Sequence, residues 1–179
     1  MTCIVGLVDK EGVFIGGDSA GVGGTSLTVR ADQKVFLNGD FIMGFTTSFR
    51  MGQLLRYGLK PPTYHPDVDV FQYMVTDFID SIRTCLKNGG WASREKDVEV
   101  GGTFLVGFKG RLFKIDSDYQ VGEPAQPFDC CGCGEDIALG AMYASADLLP
   151  EIRIKQALEA AETFSAGVRG PFTVKHISL

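Results

Sequence analysis

Two short apolar runs, Cys3-Ile4-Val5-Gly6-Leu7-Val8 and Val13-Phe14-Ile15-Gly16-Gly17, are separated only by Asp9-Lys10-Glu11-Gly12. Runs of this length, rich in β-branched residues and joined through an acidic, glycine-ended turn, form a hairpin rather than a helix. The chain therefore starts inside a sheet, with Thr2 heading the first strand and Asp18 ending the second. Residues 21–24 are glycine-rich and read as loosened backbone. Strands are expected again over 26–29, 34–37 and 41–45. The last two meet at Asn38-Gly39-Asp40, where Asn-Gly supplies the positive φ of a tight hairpin.

Helical spacing begins over 48–59 and is clearer in Phe71, Met74, Val75, Phe78, Ile79, Ile82, Cys85 and Leu86, which follow the i, i+3, i+4, i+7 rule. Asp67 or Asp69 caps that helix and Asn88-Gly89-Gly90 stops it. A hydrophilic link over 91–99 leads to strands at 102–108, 111–116, 119–121 and 127–131, read as a meander. An Ala-rich helix over 137–149, closed by Pro150, precedes a helix over 152–164 and a last strand over 172–177. Strands, two helices, strands, two helices and a strand is the order expected of two face-to-face antiparallel sheets with a helix pair outside each. The fold class is α+β, a four-layer αββα sandwich. At 179 residues, 45% of them hydrophobic, the chain reads as one domain over 1–179.

A net charge of −5 with no block of Lys and Arg argues against nucleic acid and anionic membrane surfaces as partners. No run of about 18 apolar residues is available to cross a bilayer, and the first residues lack a secretory pattern, so the expected compartment is the cytoplasm. The five cysteines are odd in number and lack a second ligand pair for zinc, which favours free thiols. His65 and His176 lack the sequence context of a Ser-His-Asp triad. The glycines at 21, 23 and 24 do not follow the order of a phosphate-cradling loop.

With Thr2 before a hairpin ending in Gly16-Gly17-Asp18-Ser19, then Lys34, Gly44 and a Gly132-Cys133-Gly134 turn into a helix, the chain resembles the proteasome β-subunit and HslV peptidase family over nearly its whole length. Asp18 and Lys34 stand 16 and 32 residues after Thr2, the family separations. The resemblance implies a threonine peptidase whose nucleophile, Thr2, is exposed by loss of Met1. Asp18 and Lys34 would support it, Gly44 would supply an oxyanion-hole amide, and Cys133, Glu162 and Ser165 would surround the terminal amine. Two positions depart from the family pattern: Cys133 replaces a serine, and Glu162 replaces an aspartate. The resemblance further implies a hexameric or heptameric homo-oligomeric ring with the helix from 69 to 88 as a contact face, a peptide or unfolded-protein substrate, and an ATP-dependent unfoldase or cap. It requires no cofactor, and it suggests a sodium ion on the main-chain carbonyls of Glu162, Ser165 and Val168.

The chemistry fits these residue types. A threonine hydroxyl needs a base, and a free α-amine on the same residue supplies one directly or through a water. An ammonium such as Lys34 nearby disfavours protonation of that amine by like-charge repulsion. Taken singly, Asp18 also fits a turn-stabilising acid, Lys34 a solvated strand lysine and Gly44 a plain backbone accommodation. Cys3 is the competing nucleophile if the cut falls one residue later, but strand alternation turns it to the face opposite Thr2. Two other functions use the same framework: a noncatalytic ring scaffold that retains Met1, and an amidase acting on a small molecule.

Overall fold

The computed structural model describes residues 1–91, 93–95 and 97–179. In chain order the strands are β1 (Cys3–Asp9), β2 (Gly12–Gly17), β3 (Ala20–Gly23), β4 (Ser26–Val29), β5 (Val35–Asn38) and β6 (Phe41–Phe45). Helices α1 (Phe49–Tyr57), α2 (Val70–Tyr73) and α3 (Ile79–Asn88) follow, the last two joined by a π-helical turn at Met74–Phe78. Then come β7 (Ser93–Glu95), β8 (Val98–Val100), β9 (Phe104–Phe108), β10 (Arg111–Ile115), β11 (Val121–Gly122) and β12 (Phe128–Gly132). Helices α4 (Glu135–Ala144) and α5 (Pro150–Phe164) and strand β13 (Thr173–Ser178) complete the order.

Two antiparallel sheets result, one ordered β12-β1-β2-β13 and the other β11-β10-β9-β6-β5. Ile4, Val13, Ile15, Val35, Ile42 and Leu105 fill the space between them. Helices α1 and α3 cover the outer face of the five-stranded sheet, and α4 and α5 that of the four-stranded one. These layers are the expected αββα sandwich.

Several local expectations need correction. The glycine-rich stretch is not loose backbone: β3 pairs with β4 from Ala20↔Val29 to Gly23↔Ser26. The hydrophilic link carries a hairpin of its own, β7 with β8; Ala92 and Lys96 lie outside the described residues. The meander ends at β11, and β12 crosses to pair with β1, because Cys130 is buried under the helices and Cys131 between the sheets. Pro150 does not close a helix but opens α5, where its missing N–H costs nothing. The π turn inserts an extra residue into the long helical stretch, so Tyr73 and Met74 are followed on the buried face by Phe78 and Ile79. Phe71 and Val75, expected in the stripe, are instead 37% and 40% exposed.

Candidate active site

Pairing of Ile4 with Gly17 across the first hairpin brings Asp18 beside the head of β1. On the other side Cys3 pairs with Gly132, and the Gly134 N–H donates to the Thr2 carbonyl oxygen at 3.3 Å. Gly132 has a φ of +103°, and a Cβ there would lie 2.2 Å from that same oxygen, so glycine is required for β12 to turn so close. Thr2 is thereby held on both sides and is 4% exposed.

Lys34 precedes β5. Its Nζ donates to Thr2 Oγ1 at 2.9 Å and to Asp18 Oδ1 at 2.8 Å. The lysine and aspartate side chains are 1% and 0% exposed, which rules out a solvated strand lysine. Asp18 accepts three further bonds, from Cys3 N to Oδ1 at 3.1 Å and from Ala20 N and Arg169 N to Oδ2 at 2.9 and 3.3 Å. A buried charge so surrounded is compensated rather than stranded. Burial pushes the Lys34 ammonium below its ordinary value, and Asp18 opposes that shift. The lysine nitrogen is thus fixed between the threonine hydroxyl and the Asp18 carboxylate.

The Thr2 nitrogen is a peptide N–H here, because Met1 precedes it, and it stands where an α-amine would be after cleavage. It donates to Cys133 Sγ at 3.3 Å, and the Ser165 hydroxyl donates to the same sulfur at 3.4 Å. The Thr2 hydroxyl donates to the Met1 carbonyl oxygen. Five of the expected residues therefore gather: Thr2, Asp18, Lys34, Cys133 and Ser165.

Glu162 and Gly44 do not join them. Glu162 Oε1 accepts from Gly170 N at 3.0 Å and lies 3.7 Å from the Arg169 guanidinium. It holds the loop whose Arg169 N–H reaches Asp18, and so acts at one remove. Gly44 lies inside β6, between Val35 on β5 and Leu105 on β9. Phe45 N bonds to Lys34 O and Thr46 N to Thr103 O, so N–H groups of alternate residues face β5 and β9, and that of Gly44 is spent inside the sheet. A Cβ at Gly44 would meet Ile4 and Ile15 at 2.6 and 2.8 Å, so its smallness serves the inter-sheet packing. The oxyanion role expected of Gly44 is incompatible with this position.

Cys3 is fully buried on the helix-covered face. Burial, then the Asp18 charge, push its thiol up to about 12, which removes the thiolate a cysteine nucleophile needs. Two contributors carried no sequence signal. Arg169 and Gly134 act through main-chain N–H groups, which any residue supplies. Thr47, just after β6, has a φ of +62°, a conformation that a threonine does not advertise. Close by in the chain, the Phe49 ring lies 5.6 Å from Lys34 Nζ and 3.9 Å from the Arg30 guanidinium carbon. The carbonyls of Glu162, Ser165 and Val168 run from the last turn of α5 into its loop, where Ser165 O accepts from Val168 N at 3.2 Å.

BPH of Thiobacillus denitrificans, solved in complex with epoxomicin, superimposes with a TM-score of 0.79 at 20% identity, covering 99% of this chain and 100% of that one. The fold is that of proteasome-like N-terminal-nucleophile proteins. Eukaryotic HslV from Trypanosoma brucei matches with a TM-score of 0.68 at 16% identity over 99% of both chains. Anbu, the ancestral beta-subunit from Yersinia bercovieri, matches at 0.69 and 16%, covering 98% of this chain and 81% of that one. No protein-family model and no curated protein sequence matches the chain. No helix among the described residues is long and apolar enough to cross a membrane.

Proposed function

We propose that the chain is a threonine peptidase in which Thr2, freed by removal of Met1, attacks the peptide carbonyl. The carrying observation is the contact of Lys34 Nζ with Thr2 Oγ1 at 2.9 Å, with Asp18 behind it in full burial. The terminal amine takes the hydroxyl proton and passes it to the leaving amine, while Lys34 remains charged and stabilises the oxygen as it becomes nucleophilic. Cys133 Sγ accepts from that amine and orients it. Gly44, committed to the sheet, is not the oxyanion donor in this reading. Water then releases the acyl ester with the same amine as base.

The reading extends to a single domain over 1–179, a homo-oligomeric ring enclosing the sites, an unfolded-protein substrate and an ATP-dependent unfoldase or cap. It includes a sodium ion at the C-terminal carbonyls of α5, the negative end of that helix. Intact mass, a panel of fluorogenic peptides beside small amides, and peptide mapping after epoxomicin treatment test it together. Loss of one methionine, peptide cleavage and an adduct on Thr2 are expected. Cleavage of small amides alone moves the substrate to small molecules.

The alternative that the same test decides is a noncatalytic scaffold that keeps Met1. Retained Met1 together with absent cleavage establishes that reading and ends the first.

A further inference from the structure

Both main-chain polar groups of Thr2 are held by one turn. Cys133 Sγ takes its N–H at 3.3 Å, and the Gly134 N–H reaches its carbonyl at 3.3 Å. The next residue, Glu135, opens α4 and bonds through Oε1 to Nζ of Lys114, which stands on β10 in the other sheet. The two side chains are 31% and 19% exposed, so the pair is partly screened from water. Asp129 is a further carboxylate that acts on Lys114 through its charge, while its Oδ1 accepts from Cys130 N at 2.7 Å. Three consecutive residues thus link the five-stranded sheet to the backbone of the residue that carries the chemistry.

Gly132 and Gly134 bring no side chain of their own to anchor this turn, and the β1–β12 ladder ends at Cys3↔Gly132. Charge-assisted bonds are among the stronger restraints available to such a segment. Resting on the reading of Thr2 as nucleophile, we infer that Lys114 and Glu135 are positioning residues. Their ion pair fixes the 132–134 turn and so sets the distance and angle of the Thr2 nitrogen relative to its own hydroxyl. A misplacement of about 1 Å at such a site costs up to about 100-fold in rate.

The test compares Lys114→Met, Glu135→Gln, the double variant and Lys114→Arg by steady-state peptide hydrolysis, thermal melting and the rate at which iodoacetamide alkylates Cys133. Each single charge removal is expected to lower kcat about 10- to 100-fold with KM within about twofold. The double variant should lose no more than a single one, because both changes remove the same restraint, and Lys114→Arg should stay near wild type. Alkylation of Cys133 should quicken in both single variants. A pure charge effect would move it in opposite directions, since one change removes a cation and the other an anion.

Unchanged kcat and unchanged alkylation in folded single variants overturn the inference, as does an additive double variant. Loss of melting temperature with kcat retained in the folded fraction reduces the pair to a structural contact and overturns it too. If the unmodified protein neither cleaves peptides nor takes epoxomicin on Thr2, the nucleophile reading falls. The alkylation series then still decides whether the pair holds the turn.

Discussion

Against the five-stranded sheet, α1 and α3 press on rings: Phe41 stacks on Phe108 at 4.2 Å and on Phe78 at 4.8 Å, with Phe36, Phe45 and Phe104 around them. Against the four-stranded sheet, α4 and α5 press on Cys3, Val5 and Cys130 through Ala138, Ala157 and Ala161. The second helix pair comes far closer to its strands. A Cβ on Gly16 would lie 2.3 Å from Ile154, and one on Gly134 would lie 2.9 Å from both Ala161 and Cys3. That closeness lets the turn before α4 touch Thr2 and lets the loop after α5 deliver the Arg169 N–H to Asp18. Bulk on one side supplies buried area; small residues on the other supply approach, and the candidate site lies where approach is possible.

The sharpest separation of the two faces is kinetic. Thr2→Ala is expected to reduce peptide hydrolysis by about 10,000-fold or more while sedimentation of the protein stays unchanged. Normal hydrolysis by that variant would remove Thr2 from the chemistry. Lys34→Met should damage both properties at once. It strands Asp18 in full burial, at a stability cost of about 3–5 kcal/mol by denaturant titration, and it takes the cation from the hydroxyl. A Lys34→Met protein with wild-type stability would mean that the three main-chain donors suffice for Asp18.

Phe41→Ala probes the other face. A loss of about 3–5 kcal/mol in unfolding free energy is expected, with kcat per folded molecule within about threefold of wild type. A collapse of kcat at full folding would erase the contrast between the faces. The pH profile of kcat/KM refines the site side. Activity should rise as the terminal amine, ordinarily near 7.7–8.0, loses its proton, and fall again as Lys34 loses its own. Because burial lowers the Lys34 value, that falling limb belongs below the ordinary lysine range, and Lys34→Arg should move it upward. A falling limb that ignores this change would assign it to another group. The smallest effect is reserved for Asp32→Asn, whose partner Arg30 is 38% exposed on the side chain. Stability should change by less than about 1 kcal/mol in a denaturant titration.

Much of the architecture was legible before the fold was seen, because it rests on short-range signals. The hairpin of β1 and β2, the Asn38-Gly39 turn, the Asp69 cap and the stripe through Phe78 and Ile82 each depend on residues within a few positions of one another. Where a long-range partner decided the outcome, local reading fell short. β12 leaves the meander because β1 needs a neighbour, and Pro150 opens a helix because α4 has already ended at Ala144. The π turn likewise follows from the burial of Tyr73 and Phe78 and is invisible to a fixed period of 3.6 residues.

The same division runs through the candidate site. In the sequence itself the first hairpin fixed where Asp18 falls, and it was the resemblance, through the separations of 16 and 32 residues, that implied a common site for Thr2, Asp18 and Lys34. Only the tertiary structure decided that Lys34 is buried, that Glu162 serves a loop, that Gly44 serves the space between sheets and that Cys3 faces away with an unreactive thiol. Desolvation and main-chain hydrogen bonding are set by what packs around a group from distant parts of the chain. The N–H groups of Gly134 and Arg169 carry no side-chain identity that a sequence can display, and they become part of a site only when two layers bring them to Thr2 and Asp18.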